Sequence, residues 1–265
     1  MLSRLLKSVS SFAAPEKQPD MSANQSARGF IHADYSSNHV DIPESFLTGP
    51  AADPVTFRPV PWKESDVPEY AKCKAWILDN VLSREECDEL IALAEASAPR
   101  EKPEDSPWRP ALISVAPGVE TRAPGYRNSD RIIWDKQLLV DRLWDRCAQA
   151  EGLQELVATA PCSRPDHKGN RKGTWQFHGL NERMRFLKYT PGMFFRPHCD
   201  AAYRANNPDG SVIETKRRLD VSPKAGSVLI FQHPLLLHEG ADVIEGTKYT
   251  MRTEIVYRWE EETQN

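Results

Sequence analysis

His198-Cys199-Asp200 is where this chain offers a metal-binding set. The three residues close the run NERMRFLKYTPGMFFRPHCD, which spans 181–200. Two positions apart on an extended strand, His198 and Asp200 leave the same face, so an imidazole and a carboxylate reach one ion. A second histidine from a neighbouring strand would complete a two-histidine, one-carboxylate set with open coordination positions, the donor set of non-haem Fe(II). The same His-x-Asp spelling recurs at His32–Asp34 and His39–Asp41, among Ser, Asn, Gly and Pro with no strand pattern around it. Those two read as solvated loop residues. His233 and His238 are both candidates for the later histidine, and spacing alone does not choose between them.

The elements that must position this set are legible as patterns. In 183–189, Arg183, Arg185, Leu187 and Tyr189 share one strand face, and Met184, Phe186 and Lys188 the other. Pro191-Gly192 then breaks the strand. Downstream, SVLIF at 227–231 reads as a buried strand and KYTMRTEIVYRW at 248–259 as one long alternating strand. Upstream, AWILDNVL leads into a helix with a capping box, Ser83 with Glu86, and a staple from Leu82 to Cys87. Cys87, Leu90, Ile91 and Ala94 form its apolar stripe, and Pro99 stops it. A second helix is expected over about 136–150, capped by Asp135, with Leu139, Val140, Leu143, Trp144 and Cys147 inward. Both helices should cover one outer face of a sheet. The five prolines of 100–130 predict loop with short strands, and 159–175 an exposed loop. After Asp200 the chain turns polar: AAYRANNPDGSVIETKRR holds one aliphatic pair, Val212-Ile213. Leu219–Val221 reads as a very short strand and Pro223–Gly226 as a turn.

Composition sets outer bounds. With 265 residues, 40% apolar, 27% charged and a formal charge of −4, the chain has ordinary globular composition and no basic footprint for nucleic acid. No apolar run reaches the length of a membrane span. Five scattered cysteines without a CxxC pair fit a reducing compartment, and Cys199 reads as a packed thiol. These features place the protein in the cytoplasm or nucleus. The basic, serine-rich, acid-poor start, MLSRLLKSVSSF, also suits a mitochondrial transit peptide. Residues 1–70 read as an irregular, largely disordered arm, with Pro59–Trp62 docking on the domain surface, and 71–260 as the functional domain. Oligomeric state is left open.

Taken together, GLNERMRFLKYTPGMFFRPHCD, PKAGSVLIFQH and LLLHEGADVIEGTKYTMRTEIVYRW resemble the prolyl 4-hydroxylase-like Fe(II)/2-oxoglutarate dioxygenases. WILDNVLSREECDELIALAE resembles the first strand and helix of that family. The resemblance covers roughly residues 75–259. It implies a mostly β fold with flanking helices (α+β), built on a double-stranded β-helix, or jelly-roll, core. It implies Fe(II), with 2-oxoglutarate and O2 as cosubstrates and ascorbate as an auxiliary, and hydroxylation of a C–H bond in a peptide or small molecule. In the family a basic residue follows the distal histidine by ten positions. His238 meets that register with Lys248 and His233 does not, so the implied metal set is His198, Asp200 and His238. The implied oxo-acid anchor is Lys248, assisted by Tyr189. Arg252 lies on the same strand face as Lys248 and offers a planar fork for a carboxylate, so it is carried beside Lys248.

Two departures stand out. Ala201 replaces the glycine that often follows the family aspartate. Between Asp200 and His238 the family's apolar strand and Gly-Gly turn are missing, as though a segment had been excised between about Thr215 and Leu219. The sequence therefore predicts a core short of two strands. Besides an active dioxygenase, it admits a shortened, weakly active or inactive relative acting as a binding protein, or a cupin-like metal protein that uses no 2-oxoglutarate.

Overall fold

The computed structural model describes residues 29–160, 173–199, 217–233 and 236–261. In chain order its elements are β1 (Phe30–His32), β2 (Thr56–Pro59), β3 (Ala75–Asp79), α1 (Arg84–Ser97), β4 (Arg109–Pro110), β5 (Ile113–Ala116), β6 (Val119–Thr121), β7 (Arg127–Asn128), β8 (Asp130–Asp135), α2 (Gln137–Cys147), α3 (Leu153–Val157), β9 (Thr159–Ala160), β10 (Gly173–Leu180), β11 (Arg183–Tyr189), β12 (Phe194–His198), β13 (Val228–Phe231), β14 (His238–Gly240), β15 (Lys248–Arg252) and β16 (Ile255–Glu261). The protein is mostly β, with three α-helices among the described residues. All strand pairings in its small sheets are antiparallel, in the orders β1-β6-β5, β16-β10-β9, β15-β11-β8-β4, β14-β12-β7 and β13-β3-β2. The transit-peptide reading of the first residues, Asp200 and most of the polar segment after it lie outside the described residues.

Alternation on β8 and β11 divides the sheet into a helix face and a site face. Ile132, Trp134, Met184 and Phe186 are buried against Leu90 and Ala94 of α1 and Leu139, Val140 and Leu143 of α2. The two helices thus cover one face, as their stripes predict. On the other face, Arg131 stands across from Leu187, and Tyr189 across from Lys248. The segment read as an irregular arm feeds this core: Phe46 and Leu47 are 5% and 2% exposed within the same cluster. Val60, of the Pro59–Trp62 stretch, is buried beside Ala75 and Ile77.

Four sequence expectations are corrected. The stretch 248–259 is two strands, because β10 and β11 pair with β16 and β15 as one antiparallel ribbon that bends at Asn181 and Glu254. At the bend the Asn181 amide donates to Glu254 O at 2.8 Å and the Thr253 hydroxyl to Asn181 O at 2.6 Å. Asp135 ends β8 rather than capping α2, since its carboxylate takes both Nε and Nη2 of Arg183 at 2.9 and 2.6 Å. The α2 cap position is Lys136, with no side-chain cap bond. Strand β13 is an edge strand, with Leu229 42% exposed. Residues Leu219–Val221 form no strand, and neighbouring Arg217 instead turns outward to pair with Glu69 at 2.7 Å.

The capping box is present and has a second use. Ser83 Oγ accepts from the Glu86 amide at 3.1 Å, and the Glu86 carboxylate accepts from the Ser83 amide at 2.8 Å. The same carboxylate receives Arg146 of α2 at 2.7 Å, and Arg146, 4% exposed, also donates to Gly49 O at 2.6 Å. One ion pair therefore ties α1, α2 and the N-terminal segment. Glu86→Ala leaves a buried guanidinium uncompensated and removes half the capping box. It is expected to cost about 3–4 kcal/mol, read as a shift in the urea unfolding midpoint at unchanged slope.

Candidate metal and anion site

The two histidines meet because strand β12 carries a bulge. Phe195 faces Gly240 and His198 faces His238 across the β12–β14 pair, with a one-residue slip between these partners. In a regular strand residues three apart point to opposite faces. The slip cancels that, and Pro197, with no N–H to contribute to a ladder, lies inside it. Phe195 and His198 end stacked, 3.7 Å between centroids at 24°. The His198 and His238 rings lie 4.2 Å apart. His233 sits in the bend just past β13, whose partner is β3 rather than β12, with Phe231 6.2 Å from its ring.

The ring nitrogens have defined roles. His198 Nδ1 is 2.8 Å from Arg196 O, and His238 Nδ1 is 3.1 Å from Leu236 O. A carbonyl oxygen only accepts, so each Nδ1 carries a hydrogen and donates it. In the neutral ring Nε2 then bears the lone pair, the tautomer and backbone anchoring typical of metal-bound histidine. Among the described residues no three His, Cys, Asp or Glu side chains gather in metal-holding geometry. Asp200, the carboxylate of the expected set, lies outside them. The two imidazoles fit a divalent transition metal.

Against the histidine strands, Tyr189 and its neighbours form a cluster of cationic and hydroxyl side chains. Tyr189 is 3% exposed, and burial pushes its phenol up, opposed by the Arg127 charge and the Ser129 hydroxyl, so it stays an O–H donor. Its partner across the strands, Lys248, places Nζ 4.6 Å from the Tyr189 ring centroid. Burial lowers the Lys248 ammonium, and among the described residues no carboxylate pairs with it. Arg252 is differently engaged: Glu254 Oε1 lies 3.5 Å from Arg252 and 2.7 Å from Arg185. Among the described residues the two candidate anchors thus differ: Arg252 lies within ion-pair reach of Glu254 and Lys248 of no carboxylate.

Two residues that sequence reasoning missed complete the cluster. Burial drives the Arg127 guanidinium down to about 10, with the Tyr189 field opposing and Arg131 and Arg252 adding to the fall. Its Nη1 donates to Leu112 O at 3.3 Å, while its buried Nε meets no partner among the described residues. Ser129 Oγ lies close enough to the Tyr189 hydroxyl to influence it, but among the described residues it makes no hydrogen bond of full geometry. Buried polar atoms are normally satisfied. Two buried polar atoms with no partner among the described residues thus lie near the Tyr189 phenol and the Lys248 ammonium. Neither residue carried a sequence signal, since both sit in the proline-rich stretch without periodicity. A separate groove of about 420 Å³, lined by Trp144, Glu155 and Phe177 among others, includes none of these residues.

No protein-family model matches this chain, and a search of curated proteins finds no match. Among solved structures, it is similar to a prolyl-4-hydroxylase from Pseudomonas putida at 15% identity, over 78% of this chain and 94% of that one, with a TM-score of 0.34. The likeness is slight, and the case for the site rests on its own residues. No helix among the described residues is long and apolar enough to cross a membrane.

Lys248→Met keeps the stem and removes the unpaired charge. It should weaken binding of 2-oxoglutarate on the order of a hundredfold in a competition titration, whereas Arg252→Met should weaken it far less. A lysine whose folded pKa is depressed disfavours folding while protonated, and that penalty is relieved as pH rises through the folded value. Lys248→Met should therefore not lower the melting temperature at pH 7. In the native protein, oxo-acid affinity should fall on an alkaline limb below the ordinary lysine range.

Proposed function

We propose that this protein is a non-haem Fe(II)- and 2-oxoglutarate-dependent dioxygenase that hydroxylates a C–H bond of a peptide or small molecule. The observation that carries the reading is the facing pair His198 and His238, each with Nδ1 held by a backbone carbonyl, beside the unpaired ammonium of Lys248. Asp200, two residues beyond His198, supplies the carboxylate ligand in this proposal. The core is taken as a shortened double-stranded β-helix within residues 71–260. When bound, iron and the oxo-acid would supply oxidative decarboxylation coupled to hydroxylation, with O2 consumed and ascorbate serving as auxiliary reductant.

The residues of the chain divide the remaining work. His198 and His238 present their Nε2 lone pairs in a fixed direction. Lys248 binds the distant carboxylate of the oxo-acid, and the Tyr189 hydroxyl donates to it. Ser129 and Arg127 supply further donors to the same anion, and burial of Tyr189 strengthens these contacts by excluding water. Glu254 holds Arg185 and Arg252 aside, so that the anion is drawn to Lys248.

A second reading has an observation behind it. Between Cys199 and His238 the described residues hold one strand, β13, and both β13 and β14 are sheet edges. The sequence of the intervening segment, with one aliphatic pair between Ala201 and Arg218, is what supports a shortened, weakly active relative. Anaerobic titration separates the alternatives. An absorption band that requires both Fe(II) and 2-oxoglutarate, followed by uncoupled oxo-acid turnover in air, supports the dioxygenase. The band without turnover supports the weakened relative, and iron binding without the band supports a cupin-like metal protein. His198→Ala, Asp200→Ala and His238→Ala should each sharply reduce iron occupancy, and His233→Ala should not. Full iron in His238→Ala with loss in His233→Ala would overturn the ligand assignment.

A further inference from the structure

Resting on the metal reading, we propose that Arg127 is a positioning residue that clamps Phe195 onto the imidazole of His198 and so sets the plane of the metal-binding ring. Arg127 and Phe195 are direct partners across the β7–β12 pair. The guanidinium carbon lies 4.5 Å from the Phe195 centroid, and the Phe195 ring in turn stacks on His198 at 3.7 Å. The three groups form a column ending at His238, 4.2 Å further on. Tyr126, the residue before Arg127, closes the column from the side, edge-on to Phe195 at 5.6 Å and to His198 at 6.4 Å.

Each contact leaves the ring one fewer freedom. The Nδ1 bond to Arg196 O fixes one atom of the imidazole, and rocking about that bond is a separate motion. A flat neighbour on one face removes the rocking. Phe195 sits where its strand is bulged and lacks a regular ladder, so a side-chain contact on its ring adds to what holds it there. A planar cation does so well, stacking on the ring and attracted by its quadrupole. Gly240 allows the fit from the β14 side: a Cβ there would lie 3.4 Å from both Phe195 Cβ and the Tyr189 oxygen.

The test uses Co(II), titrated into the full chain and followed by its visible absorption. Arg127→Gln removes the cation and is expected to weaken Co(II) binding about tenfold, the usual effect of losing a group that orients a ligand. Arg127→Lys keeps the charge and should recover part of the loss, which a purely space-filling role would not predict. In the metal-free protein, the His198 ring protons should be shifted upfield by the Phe195 face, and Arg127→Gln should move them back. If Arg127→Gln does not fold, Phe195→Leu, which keeps apolar bulk but no stacking face, should show the same weakening. Unchanged Co(II) affinity in whichever variant folds, or unmoved His198 signals, would overturn the clamp while leaving the metal site standing. Failure of the native protein to take up Co(II) would overturn the metal reading and the clamp together.

Discussion

The bent ribbon depends on one carboxylate. Arg185 and Arg252 are direct partners across β11 and β15, and like charges in that position repel. Glu254 resolves the conflict by accepting from Arg185 and lying within ion-pair reach of Arg252, while its second oxygen takes the Asn181 amide at 3.1 Å. The neutralising group and the hinge are thus the same residue. Because the bend is fixed there, β10 and β16 depart into their own sheet, and the short β11–β15 segment is left to present Tyr189 and Lys248 beside the histidine strands.

The second constraint is crowding where three strands approach. Gly240 lies against both Phe195 and Tyr189, so the phenol, the stacked phenylalanine and the histidine pair share one small volume. Charge in that volume is unbalanced. Arg131 is neutralised by Glu120 at 2.7 Å, but Arg127 and Lys248 are not held in ion pairs of that kind among the described residues.

Much of the scaffold was legible because local rules and burial agreed. The Ser83–Glu86 box, the stripes of both helices and the alternation of Met184 and Phe186 against Arg185 and Tyr189 all depend on short-range spacing. What the sequence hid depends on tertiary partners. The break at Thr253 and Glu254 follows from bonds to Asn181, more than 70 positions away. The diversion of Asp135 from cap to ion pair needs Arg183 on an adjoining strand. Phe46 and Leu47 sit in a stretch whose composition argues for disorder, yet they fill the space between the helices. At the site, the family register singled out His238 and Lys248, and the contact of Arg252 with Glu254 could not be read from spacing. Arg127 and Ser129 were invisible, since no pattern marks a residue whose importance lies in being unsatisfied.

Both histidines have a main-chain anchor, Arg196 O for His198 and Leu236 O for His238. A point substitution can delete an aspartate that orients an imidazole, but it cannot delete a carbonyl. Drift at positions 196 and 236 can therefore alter charge and bulk around the rings while the atoms that fix their tautomers persist. The anchoring of the two rings thus depends on the path of the backbone at 196 and 236 more than on the side chains there.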